Sequence, residues 1–180
     1  MNIFYLHNDP KTCAQMHVDK HCVKMILEYA QLLSTAHRIL DGVLDIGITA
    51  SGRKKKFYRI DSDLDGILYS ATHANHPSAI WVRQSDQNYM WLCELLEELC
   101  AEYTYRYGKT HKVEASGLMI TLKNNFPKNI PSGKFTEPTP AMPDEYKVAG
   151  NSIQSYYNYY LGAKTRMFSW KNRPTPAFAC

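Results

Sequence analysis

No run of apolar residues in this 180-residue chain approaches the roughly 18 needed to cross a bilayer as a helix. The opening decapeptide MNIFYLHNDP has no basic segment followed by an apolar core and a small-residue cleavage point, so it lacks the layout of a secretory leader. The five cysteines (Cys13, Cys22, Cys93, Cys100 and Cys180) contain no C-x-x-C pair, and H-E-x-x-H, internal repeats and low-complexity tracts are missing too. Any metal reading therefore has to rest on side-chain type and spacing alone. An odd number of thiols, mostly inside apolar helical stretches, predicts reduced cysteines and a soluble, cytoplasmic protein without membrane partners. Charge of one sign is scarce as well. With 21 Lys and Arg against 17 Asp and Glu, the net +4 permits a nucleic-acid partner without demanding one.

A hydrophobic fraction of 44% with 21% charged residues is globular composition, and the length suits a single domain spanning 1–180. Residues 2–7 read as a short extended segment, and Asn8-Asp9-Pro10 as a turn that caps the next helix. Helical periodicity predicts helices over about 12–41, 78–107, 112–124 and 144–164, with Gly42 and Gly108 as stops. Between them lie a basic connection, 42–75, and a Pro-rich segment, 126–145, holding Pro127, Pro131, Pro138, Pro140 and Pro143. With no convincing strand pair, the expected fold is mainly α: three to four helices around one core, joined by long irregular connections.

On the first predicted helix, His17, His21, Lys24 and Glu28 recur at i, i+4, i+7 and i+11, which stacks them on one face. Cys22, Ile26, Tyr29, Leu33 and Leu40 form the opposite, core-facing stripe. Histidines one turn apart titrate near neutral pH, where acid–base chemistry is done, so this stripe is the expected chemical centre. Lys24 and Glu28 also suit an ordinary i,i+4 ion pair, and His17 with His21, joined by His73, His76 or Glu28, suits a facial zinc set, although the expected site uses no metal or cofactor. Two basic clusters interleave with aromatics: Arg53, Lys54, Lys55, Lys56 and Arg59 around Phe57 and Tyr58, and Lys164, Arg166, Lys171 and Arg173 near the end. Such patterning suits phosphate contacts with base stacking. Four tyrosines within five residues, Tyr156, Tyr157, Tyr159 and Tyr160, cannot all face one core, so at least two are expected at the surface.

Asp19-Lys20-His21, six residues and Glu28 resemble the D-x-H-x(6)-E first helix of phage pyrimidine-dimer DNA glycosylases of the endonuclease V type. Asn75-His76, ahead of the helix at 78–107, is similar to that family's Gly-His. The stretch Ser155-Tyr156-Tyr157-Asn158-Tyr159-Tyr160-Leu161-Gly162-Ala163-Lys164 is similar to its aromatic W-Y-K-Y-Y-G-K segment. The DKH-x-VKM string at 19–25 also resembles uncharacterised phage proteins. The first resemblance implies an endonuclease V-like helical fold that bends duplex DNA, flips a base and attacks C1′ through a Schiff base. Glu28 is then the essential carboxylate, with His21 and His76 orienting phosphate or relaying protons. Double-stranded DNA is held by Arg53, Lys54, Lys55, Lys56, Lys164, Lys171 and Arg173 beside the four tyrosines. The nucleophile stays open between the α-amine, at Met1 or Asn2, a lysine, Lys24 or Lys20, and no covalent step at all. The alternative is a phage protein that binds or cleaves a small nucleotide, such as a defence signal, in a cavity at His17, His21, Lys24 and Glu28. A purely protein-binding module is the third.

Overall fold

A computed structural model describes all 180 residues. Two long helices, α2 (Asp19–Asp41) and α4 (Asp86–Tyr107), pack against each other at the centre. Around them lie α1 (Pro10–Met16), α3 (Pro77–Val82), α5 (Lys112–Ala115), α6 (Leu118–Asn124) and α7 (Ser152–Ala163). One antiparallel hairpin, β1 (Val43–Ile48) with β2 (Lys54–Arg59), completes the regular structure. The fold is mainly helical, as expected, but it has seven α-helices rather than three or four, and a strand pair where none was expected.

Each predicted long helix is divided, and each division has a local cause. The helix expected at 12–41 breaks at His17–Val18, where both residues are extended. The last carbonyls of α1 are taken there by Arg106, which donates to the Gln15 and His17 carbonyls at 2.9 Å each, while the Ser169 carbonyl accepts from the Asp19 amide. Serine 85 stops the 78–107 helix from being continuous: its hydroxyl accepts from the Asn88 amide and caps α4, which ends as expected on left-handed Gly108. Gly117, at φ +79°, separates α5 from α6. Over 144–164 only a single 3-10 turn, Asp144–Tyr146, precedes α7, whose cap is Asn151.

Thirty-three buried apolar residues form one core, including the extended segment 3–6 and the apolar stripe Cys22, Ile26, Tyr29 and Leu33 of α2; Leu40 is only half-buried. Trp81, Tyr89 and Trp91 belong to it, and all five cysteines are free. The indole of Trp170 donates to the Met16 carbonyl and Phe178 stacks on Tyr157, so the Pro-rich tail docks on the domain. No helix is long and apolar enough to cross a membrane.

A buried ion network ties the tail to the helices. Arg106 donates to Glu102 at 2.7 Å and to Asp19 at 2.9 Å, and Arg173 donates to both Glu102 oxygens. Burial pushes the Glu102 carboxyl up, but the two guanidiniums outweigh it and hold it below its usual range.

Candidate active site

Because residues 3–6 run through the core against α2, the start of the chain emerges beside that helix. There the Met1 α-amine lies 3.7 Å from Glu28 Oε2, while Lys24 Nζ approaches Glu28 Oε1 at 3.1 Å. The Met1 side chain is only 4% exposed although the residue as a whole is half-buried, so its main-chain end is what remains open. Asn2 fixes that end in place: its amide donates to the Ala141 carbonyl at 2.8 Å, and its carbonyl oxygen accepts from the Tyr156 hydroxyl at 2.6 Å. A cavity of about 280 Å³ opens over these groups, lined also by Phe4, His21, Met25, Tyr159 and Lys164. Lys164 sits 4.7 Å above the Tyr159 ring.

Histidine 21 stacks on Phe4 at 4.0 Å between centroids, and its Nδ1 meets the Tyr160 hydroxyl at 2.7 Å. Burial, then the neighbouring His17 and the charges of Lys164 and Lys24, lowers its pKa to about 3. Its surroundings favour the neutral, hydrogen-bonding imidazole over the charged form. His76 accepts from the Ser78 amide through Nδ1, at 3.2 Å, which leaves the proton on Nε2. Its pKa is lowered, by burial first and then by the Met1 ammonium and His73, against a smaller upward pull from Glu28. His76 thus lies within electrostatic reach of both the amine and the carboxylate, with an N–H to donate.

The structure therefore brings together Met1, Asn2, His21, Lys24, Glu28, Tyr159 and Lys164, with His76 close by. It separates the rest. His17 caps α1 rather than continuing the stripe: Nδ1 contacts the Cys13 carbonyl at 2.7 Å, Nε2 contacts the Tyr29 hydroxyl at 2.8 Å, and burial lowers its pKa to about 4. With both nitrogens engaged it ligates nothing, and no three His, Cys, Asp or Glu side chains converge as a metal set. Tyr156 and Tyr160 are fully buried and support Asn2 and His21 from behind, so they cannot touch DNA; Tyr157 and Tyr159 are half-buried. Arg173 is held by Glu102 and lies 4.0 Å over Tyr105, and the Lys171 amide donates to Asp19 with its ammonium 5.3 Å over Tyr107. The Arg173 guanidinium and the Lys171 backbone amide belong to the tail clamp, while the Lys171 side chain stands exposed beside Tyr107. Asp19, the first residue of the D-x-H string, serves the same clamp. Arg53, Lys54, Lys55 and Lys56 stand exposed on the hairpin and its turn, outside the cavity.

Sequence reasoning missed Phe4, the platform under His21, and Tyr156 as the anchor of Asn2. Nothing in their local patterns signals either role. Comparisons with protein-family models, curated proteins and solved structures yield no match, so function has to be argued from the site itself.

Proposed function

We propose that this chain is a DNA N-glycosylase acting on a damaged or modified base, with an abasic-site lyase step through an imine on the Met1 amine. The observation that carries the reading is the buried-side, backbone-presented amine 3.7 Å from the half-shielded Glu28, whose side chain is 14% exposed. A lysine nucleophile is less well served: Lys24 is 69% exposed and pairs with Glu28 as i,i+4 neighbours commonly do. Lys20 is exposed and lines no part of the cavity.

The chemistry follows from that pair. The unprotonated amine attacks C1′, and the C1′–N bond breaks with its electrons leaving on the base, which takes a proton. Glu28 accepts a proton from the attached amine and returns one to O4′ as the sugar ring opens, leaving a protonated imine. The Glu28 carboxylate, freed of its proton by that transfer, takes the C2′ proton, and the C3′–O bond breaks with its electrons leaving on the 3′-phosphate. The Nε2–H of His76 and the ammoniums of Lys24 and Lys164 are donors suited to sugar and phosphate oxygens, and neutral His21 holds Phe4 and Tyr160 in register. No metal or cofactor enters any step.

Borohydride trapping on ultraviolet-irradiated, abasic and modified duplexes tests this, with peptide mapping of the adduct. An adduct on the first peptide is expected. An adduct on Lys24 or Lys20 would move the nucleophile; base release without any adduct would leave a monofunctional glycosylase. Silence with every duplex, together with thermal stabilisation by a nucleotide, would replace the proposal with nucleotide binding in the same cavity.

A further inference from the structure

The hairpin has a composition unlike the rest of the molecule. Residues 43–59 hold five cations, Arg53, Lys54, Lys55, Lys56 and Arg59, against one carboxylate, Asp45. That difference equals the whole chain's net +4, so the other 163 residues carry 16 charges of each sign. Asp45 is neutralised within the hairpin by Arg59 at 2.8 Å. No acidic side chain is left there to answer the run at 53–56.

The register places apolar and cationic side chains side by side. Leu44 pairs with Tyr58, Ile46 with Lys56 and Ile48 with Lys54 on one face of the ribbon. Ile46 is 64% exposed and Ile48 73%, which is unusual for aliphatics in regular structure. On the other face Phe57 lies across Gly47, with Lys55 5.4 Å and Arg59 5.9 Å from its ring. Only the root is anchored: Arg38 donates to the Tyr58, Leu68 and Tyr69 carbonyls and pairs with Asp65, and a Cβ at Gly42 would collide with the Arg38 carbonyl. The face carrying Ile46 and Ile48 has no partner within the chain.

We propose that this hairpin is a second DNA-holding element, an arm that lies in a groove of the duplex with Ile46 and Ile48 against the base edges, Lys54 and Lys56 beside them on the same face, and Lys55 on the opposite face toward the flanking phosphates. The inference rests on the DNA reading of the site and adds a surface to it. Charge complementarity selects the occupant: a polyanion answers four consecutive cations, and a two-stranded ribbon has the cross-section of the major groove, where aliphatics meet thymine methyls. Continuity with the site sets the distance. Gly42 follows Glu28 by 14 residues of α2 and its cap, which puts the arm's root about 21 Å from Glu28 at 1.5 Å per residue, so the arm meets DNA to one side of the reacting nucleotide.

Three measurements on the full chain test it: duplex affinity against salt concentration, hydroxyl-radical footprinting, and borohydride trapping. The triple change K54Q/K55Q/K56Q is expected to lower the salt slope by about 2 to 3 and to shorten the footprint on one side only. I46S/I48S is expected to weaken binding about tenfold with the slope unchanged. Both variants keep their melting temperature to within a few degrees, because all five side chains are exposed and none belongs to the core, and both still form the adduct at saturating DNA. Duplex binding and trapping by the wild type that neither variant alters would overturn the arm and leave the glycosylase reading intact. Failure of the wild type to bind any duplex would overturn both. Loss in the same variants of binding to phosphatidylserine vesicles, with duplex binding retained, would overturn the arm as a DNA element in favour of an anionic membrane surface.

Discussion

Acidification from pH 7.5 to 5.5 will destabilise this protein by about 4 kcal/mol through three buried neutral histidines. His17, His21 and His37 are all buried, and burial is the first cause of each depression, to about 4, about 3 and about 4 respectively. In the unfolded chain each titrates near 6.5. Because the folded values are the lower ones, the unfolded state takes up protons first; the stabilisation is complete above about pH 6.5 and is lost as pH falls from there toward about 4. At pH 5.5 each histidine is about nine-tenths protonated when unfolded and nearly unprotonated when folded, which removes somewhat over ~1 kcal/mol apiece across the interval. For a domain of this size the loss corresponds to a fall of about 8 to 16 °C in Tm. The carboxylates of the tail clamp, Asp19 and Glu102, are held below their usual range and stay ionised throughout, so they add nothing in this window. Urea unfolding at the two pH values measures the change directly, and imidazole NMR assigns it. A loss under about 1 kcal/mol, or a midpoint above pH 6 for His17 or His21, would refute the reasoning.

Glu28→Gln will reduce base release and adduct formation at least about 100-fold while leaving the melting temperature nearly unchanged, since Glu28 contacts only the amine and an exposed lysine. Asn2→Ala leaves the buried Tyr156 hydroxyl without its 2.6 Å acceptor and frees the chain start, costing about 1 to 3 kcal/mol by thermal melting and slowing single-turnover trapping more than it weakens duplex binding. Arg106→Ala leaves the buried Glu102 with Arg173 alone, strips Asp19 of its guanidinium and strands the Gln15 and His17 carbonyls, and urea titration will show a loss of about 3 to 5 kcal/mol. Arg173→Gln will lower stability without changing the salt slope of duplex binding, because its guanidinium is engaged by Glu102.

Where the sequence was legible, short-range periodicity was the reason. Lys24, Glu28 and His21 lie within a little over two turns of one uninterrupted helix, so their shared direction follows from 3.6 residues per turn. His17 fails the same rule by two residues, since the helix is broken at His17–Val18 by groups from Arg106 and Ser169, and no local pattern reports partners so remote. The hairpin was invisible for a different reason. Val43, Leu44, Ile46 and Ile48 have strand-forming side chains, and Ser51-Gly52 with φ +76° at Gly52 marks the turn, but neither face is buried, so the inside–outside alternation that identifies a strand is absent. The tyrosine run was read half correctly: two of its four rings are half-buried, while Tyr156 and Tyr160, four apart on α7, both point into the core.

Composition and periodicity by themselves determined a mainly helical chain with long helical stretches over about 12–41 and 78–107, no membrane-crossing helix, and Lys24 with Glu28 on one face beside His21. Only the tertiary structure decided that Met1 stands against Glu28, that His17 is a core cap, that Asp19 and Arg173 clamp the tail, and that the chain's excess charge projects on a hairpin. Helix periodicity is dictated by hydrogen bonds reaching four residues, whereas these placements depend on side chains from positions as far apart as 1 and 28, 17 and 106, or 2 and 156, which meet only when the core closes.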